Sequence, residues 1–192
     1  RVVLMGPAHR VYLQGVAIPT SAQFATPLGL IDVDRQLRDK VSAFPQVSYM
    51  DEAFAQEHSL EVHLPFLQTV LDKFTVLPLV VGDTPPDQVA ALLESVWGGD
   101  ETLIVISSDL SHFHDYETAR RLDSETAAYI KTLQGEAIES NRACGCMPMH
   151  GLLHLARHKN MTVNILDLKN SGDTAGSRDR VVGYGTFSFH EA

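Results

Sequence analysis

A chain of 192 residues, 44% hydrophobic and 20% charged, is long enough to bury a sizeable core. Its net charge of −9 comes without a basic stripe that could displace counterions, which argues against a nucleic-acid partner, and no apolar run reaches the roughly 20 residues that span a bilayer. Its two cysteines, Cys144 and Cys146, enclose one residue, too short a loop for an unstrained disulfide; without signal-peptide features, this predicts a protein of the reducing cytoplasm.

RVVLMG (1–6) is an apolar run stopped by Gly-Pro and predicts a buried strand entering a loop. The chain opens on this strand without a Met, so the expectation is a single domain over 1–192 that lacks its N-terminal segment. GVAIPT (15–20) predicts a short strand. Residues 32–44 predict a helix, with Leu37 and Val41 on one face and Asp34 as its cap. Residues 57–72 predict a helix that Pro65 kinks or restarts. A strand over 74–82, a helix opened by prolines over 85–97 and a strand over 102–108 follow. One or two helices over 116–134, a helix over 149–160 and strands over 161–171 and 179–191 complete the chain, with a polar loop at 172–180. Strands alternating with helices predict an α/β fold, with helices on both faces of a sheet and ligands beyond the carboxyl ends of its strands. The apolar runs at 1–6, 76–82, 103–107 and 163–168 are expected in one buried sheet.

The chemistry-bearing residues cluster beyond those strand ends. GPAHR (6–10) sets His9 after the first strand. EHSLEVH (57–63) carries Glu57, His58, Glu61 and His63; its histidines are five apart, so this is not the zinc motif H-E-x-x-H, and taken alone it reads first as a polar helix face with a histidine–carboxylate pair. SSDLSH (107–112) places Asp109 where a carboxylate could orient His112 for acid–base work; a polar turn capping the next helix is the plainer reading. ACGCMPMHG (143–151) puts two thiols at a helix entrance, where the dipole favours thiolate, against the alternative of two small buried turn residues. His150, His154 and His158 recur every four residues and read as one polar helix stripe rather than a metal site. There is no G-x-S-x-G elbow, phosphate loop or G-x-G-x-x-G.

Taken in order, GPAHR, EHSLEVHLPF, VISSDLSHF and ACGCMP, with TPLG (26–29), LPLVVG (77–82) and the closing GYGTFSF, resemble the Memo-like proteins, often labelled protein B of the AmmeMemoRadiSam system. The resemblance implies an α/β/α sandwich around a central mixed, mostly parallel sheet, like that of class III extradiol dioxygenases. It implies His9 and Cys144 as metal ligands, Asp109 and His112 as catalytic groups of the same cleft, and His58 and Glu61 standing behind the ligands. The implied cofactor is one metal ion, iron or copper ahead of zinc, because Cys144 stands where the dioxygenases carry a carboxylate. A family histidine in a Pro-His-Ala-Gly-Tyr motif is absent from these residues, which leaves occupancy open. The function so implied is a metal-dependent oxidoreductase. The alternatives are a non-enzymatic module holding a peptide or small ligand in that cleft and a ring-cleaving dioxygenase, which the thiolate disfavours. A small molecule or peptide is the expected partner, and an oligomer is compatible.

Overall fold

The computed structural model describes residues 1–174 and 176–191, which form two compact units, one over 1–107 and one over the described residues from 108 onward. The first is built on a five-stranded sheet of order β5-β2-β6-β1-β7, comprising β1 (Val2–Pro7), β2 (Val16–Ile18), β5 (Val47–Tyr49), β6 (Val76–Val81) and β7 (Leu103–Ile106). β1 pairs parallel with β6 and β7, and β2 pairs parallel with β5 but antiparallel with β6, so the sheet is mixed and mostly parallel. All six residues of β1 and all six of β6 are buried, as continuous apolar runs require when both faces of a sheet are covered. On one face Val2, Leu4, Ala17, Val76 and Val80 pack with Leu60, Leu64 and Leu67 of the helical segment that follows the EHS motif.

The helices of this unit start where the sequence says. Asp34 caps α1 (Arg35–Val41), accepting from the Leu37 amide at 2.9 Å. A four-residue turn, α2 (Glu52–Ala55), precedes α3 (His58–Glu61), and Pro65 restarts the chain as α4 (Leu64–Val70). α5 (Pro86–Ser95) opens on its own proline. A Cβ on Gly6 would lie 2.7 Å from Ser59 Oγ and 2.8 Å from Leu60 Cδ2, so this glycine lets α3 sit directly on β1. The hairpin β3 (Gln23–Thr26) and β4 (Gly29–Asp32) was not predicted; it turns at the TPLG segment, with Gly29 at φ 124°.

The second unit carries a three-stranded antiparallel sheet of order β8-β10-β9: β8 (His112–His114), β9 (Thr162–Asn170) and β10 (Val181–His190). Helix α6 (Tyr116–Lys131) packs on β9 and β10, and α7 (Cys146–His158) begins at the second cysteine. One sheet expectation is overturned here. Residues 163–168 pair with β10 and not with β1, β6 or β7. β9 is mostly exposed, and its neighbour in sequence offers a full antiparallel ladder from Thr162↔His190 to Asn170↔Gly183. The α/β assignment stands on the first unit's sheet and its flanking helices. Among the described residues no helix is long and apolar enough to cross a membrane.

Candidate metal centres

In the first unit, β1 ends at Pro7 and the chain turns outward through His9. Glu57, the N-cap of α3, is 4% exposed and accepts three hydrogen bonds of note: from the Ser59 amide at 2.9 Å, from the His9 amide at 2.7 Å and from His9 Nδ1 at 2.9 Å. Burial is the largest single influence on this carboxyl and opposes its ionisation. The hydrogen bonds from the Ser59 and His9 amides, the His9 ring and the Ser59 side chain together outweigh burial and hold it down to about 2. A carboxylate so held only accepts, so the hydrogen bond places a proton on His9 Nδ1. His58 stacks on His9 with ring centroids 5.3 Å apart, and its Nδ1 lies 3.7 Å from Glu57 Oε1. Glu61 is exposed on α3; the carboxylate behind His9 is Glu57, the first residue of the motif rather than the fifth.

In the second unit, Asp109, His112 and Cys144 bring a carboxylate oxygen, an imidazole nitrogen and a sulfur within 4.8 Å of one another, all half-buried. His112 Nε2 lies 3.5 Å from Asp109 Oδ2, an ion-pair distance longer than an ordinary hydrogen bond. The Asp109 and Cys144 segments are tied reciprocally: the Asp109 amide donates to Cys144 Sγ at 3.2 Å, and the Cys144 amide donates to the Asp109 carbonyl at 3.3 Å. Burial pushes the Cys144 thiol above its ordinary value, the Asp109 carboxylate adds to the rise, and the Asp109 amide and Ser108 pull the other way. The thiol is thus raised, where the helix-entrance reading expects a lowered one.

His112 and His114 flank Phe113 on β8, which pairs with the start of β10 at Val182 and Val181. Phe113 has φ 63°, uncommon for an aromatic residue, and its 63%-exposed ring faces the Arg180 guanidinium at 4.9 Å. Beneath this strand lies a residue the sequence reading missed. Asp123 of α6 is 2% exposed and accepts from the Ser111 amide at 2.9 Å, in a notch that a side chain on Gly183 would fill. Burial raises its pKa, against the opposing pull of the Ser111 hydrogen bonds and of His114 and His112. The signal was an acid in register with the buried face Ala119, Thr126, Ala127 and Ile130 of its helix.

The remaining candidates lie outside both clusters, which are the two metal-capable groups among the described residues. His150 Nε2 is 2.7 Å from the Ile138 carbonyl oxygen, His154 and His158 contact each other at 4.7 Å between centroids, and His190 bonds Ser188. Cys146 is buried at the start of α7.

Comparison with known proteins adds a family to this geometry. The profile described as Memo-like protein matches residues 1–188. A MEMO1 family protein of Aquifex aeolicus is 34% identical over 195 residues, spanning 96% of this chain and 73% of the relative. One from Methanobrevibacter smithii is 35% identical over 202 residues, spanning 97% and 71%. The crystal structure of the uncharacterized protein JW3007 from Escherichia coli K12 superposes with a TM-score of 0.57 at 14% identity, covering 96% of this chain and 86% of that one, a likeness of fold alone.

Proposed function

The chain belongs to the Memo-like protein family, and we propose that it is a metal-dependent redox protein that holds one ion through Cys144, Asp109 and His112. The observation that carries this reading is the convergence of thiol, carboxylate and imidazole within 4.8 Å. Ligands at about 2.0–2.3 Å from a tetrahedral ion stand roughly 3.5 Å apart, so a modest rotation of half-buried side chains brings the donors onto one ion. A sulfur donor with one nitrogen and one oxygen suits iron or copper. When bound, such an ion would supply one-electron chemistry to a small-molecule or peptide ligand.

The chain's own residues do the rest. Asp109 Oδ2 faces His112 Nε2 and orients the ring; any proton on that nitrogen must leave before it can serve as a ligand, so His112 exchanges a proton for the ion. Cys144 must give up its proton to serve as a ligand, so metal affinity falls as pH drops. His9, fixed by Glu57 through Nδ1, offers Nε2 as a ligand candidate within the first unit's own cluster, with His58 stacked against it. Two free cysteines support a reducing, cytoplasmic setting.

The test is metal analysis of protein purified without a histidine tag, combined with O₂ consumption in the presence of a reductant. About one equivalent of iron or copper, lost in Cys144→Ala and accompanied by O₂ uptake, is the expected result. A preparation that stays metal-free after incubation with Fe(II) or Cu(I) overturns the reading. Metal retained in full by Cys144→Ala removes this cysteine from the ligand set, and His9→Ala then asks the same of the other cluster.

A further inference from the structure

One residue next to the Cys144 cluster is bonded in a way that neither a surface serine nor a ligand explains. The Ser108 hydroxyl accepts the Gly145 amide at 2.9 Å and donates to the Asp109 carbonyl at 2.7 Å. Its oxygen also lies 3.9 Å from Cys144 Sγ. Gly145 is the residue after Cys144, and Asp109 is the residue after Ser108. The hydroxyl therefore closes a ring between two segments 35 residues apart in the chain, already joined by Asp109 N–H to Cys144 Sγ and by Cys144 N–H to the Asp109 carbonyl. Each segment carries a proposed ligand. Gly145 caps α7 with no side chain of its own, so the distant serine supplies an acceptor at this helix entrance.

We propose that Ser108 is a positioning residue: its hydroxyl fixes the turn that carries Cys144 against the loop that carries Asp109, and so sets the direction of Sγ within the metal cluster. This rests on the metal reading of Cys144. With Ser108 removed, the Gly145 amide and the Asp109 carbonyl each lose one bond, and the Cys144 turn is left tied by the longer 3.2 Å and 3.3 Å contacts. Groups that orient a ligand from outside the coordination shell typically alter metal affinity tenfold or more when removed. The sequence alone reads Ser108 as one of two serines ending a strand; only the approach of Gly145 distinguishes it from Ser107.

The experiment titrates Co²⁺ into the chain and into Ser108→Ala, Ser108→Thr and Cys144→Ala, following the thiolate-to-cobalt charge-transfer absorption. Ser108→Ala is expected to keep one equivalent of Co²⁺ at an affinity weakened about tenfold, with the band displaced; Ser108→Thr restores both. Unchanged affinity and band in Ser108→Ala overturn the proposal. So does a threonine variant that behaves like the alanine one while unfolding at the wild-type denaturant midpoint. If Cys144→Ala binds Co²⁺ like wild type, the metal reading of Cys144 has failed, and positioning is decided without metal. Alkylation of Cys144 by iodoacetamide is then timed by mass spectrometry in a Cys146→Ser background. There Ser108→Ala is expected to accelerate modification about fivefold, the effect of releasing one hydrogen bond, and an unchanged rate overturns the proposal.

Discussion

Glu57→Gln isolates the charge behind His9 without changing the shape of the side chain. Its size follows from the structure. The carboxyl has an ordinary value of 4.5 and is held at about 2 in the folded chain, at 4% exposure and with the Ser59 and His9 amides and the His9 ring directed at it. A difference of 2.5 units at about 1.36 kcal/mol each is worth about 3 kcal/mol of stability. The sign is that of a depressed acid. The contribution is complete above about 4.5 and is lost as pH falls through about 2, because protonation then costs the fold its acceptor. Gln mimics the protonated acid. Urea unfolding followed by circular dichroism, with chelator present so that metal binding adds nothing, should place Glu57→Gln about 3 kcal/mol below wild type at pH 7. The gap should narrow from about pH 4.5 downward and nearly close by pH 2. The other acids titrate alike in both proteins and cancel. A gap under about 1 kcal/mol at pH 7, or one that stays constant between pH 6 and pH 3, refutes the reasoning.

Cys144→Ala should abolish iron or copper binding while Cys146→Ala leaves it nearly intact, measured by elemental analysis after desalting; equal loss in both would point to a C-x-C site. Cys144→Asp should shift preference from copper toward Fe(II), read by competition between the two metals. Asp123→Asn should act with the opposite pH sign to Glu57→Gln. Burial raises the Asp123 pKa, so its contribution is present below 3.8 and lost as pH rises through the raised value, and the asparagine variant should gain on wild type toward neutral pH in the same unfolding assay. Leu4→Ala, at a fully buried position of β1, should cost about 2–5 kcal/mol by denaturant midpoint.

The fold was legible where burial leaves one solution. Runs such as VVLMG and VLPLVV have no polar face, so they can only be interior strands, and Asp34, Pro65 and Pro86 announce helix starts through chemistry that acts within a few residues. The reading failed where pairing depends on a partner far away or on turn geometry. TVNILDLKN has enough apolar residues to resemble a core strand, yet six of its nine residues are exposed, because β10 takes up its hydrogen bonds and the ladder needs little burial. The 23–32 hairpin hides in QFATPLGLID because its turn rests on one glycine at positive φ.

Motif spacing was informative about which residues matter and poor at assigning their partners. In EHSLEVH the sequence suggests that Glu57 and Glu61 share a helix face, but α3 is one turn long and Glu57 sits at its cap, where its carboxylate reaches back to His9 while Glu61 faces solvent. That distinction depends on Gly6 letting α3 approach β1, a packing fact that no local pattern in residues 57–63 carries. The SSDLSH segment behaves likewise. Asp109, His112 and the pair Ser107–Ser108 are visible as polar residues after an apolar run, but the division of labour among them is set by Cys144 and Gly145, some 35 residues on, through bonds to the Ser108 hydroxyl, the Asp109 amide and the Asp109 carbonyl. A cysteine's surroundings then decide its chemistry more than its place at a helix entrance does. Desolvation raises the Cys144 thiol, and under the metal reading proposed above a cation shared with Asp109 and His112 would compensate the buried charge of its thiolate.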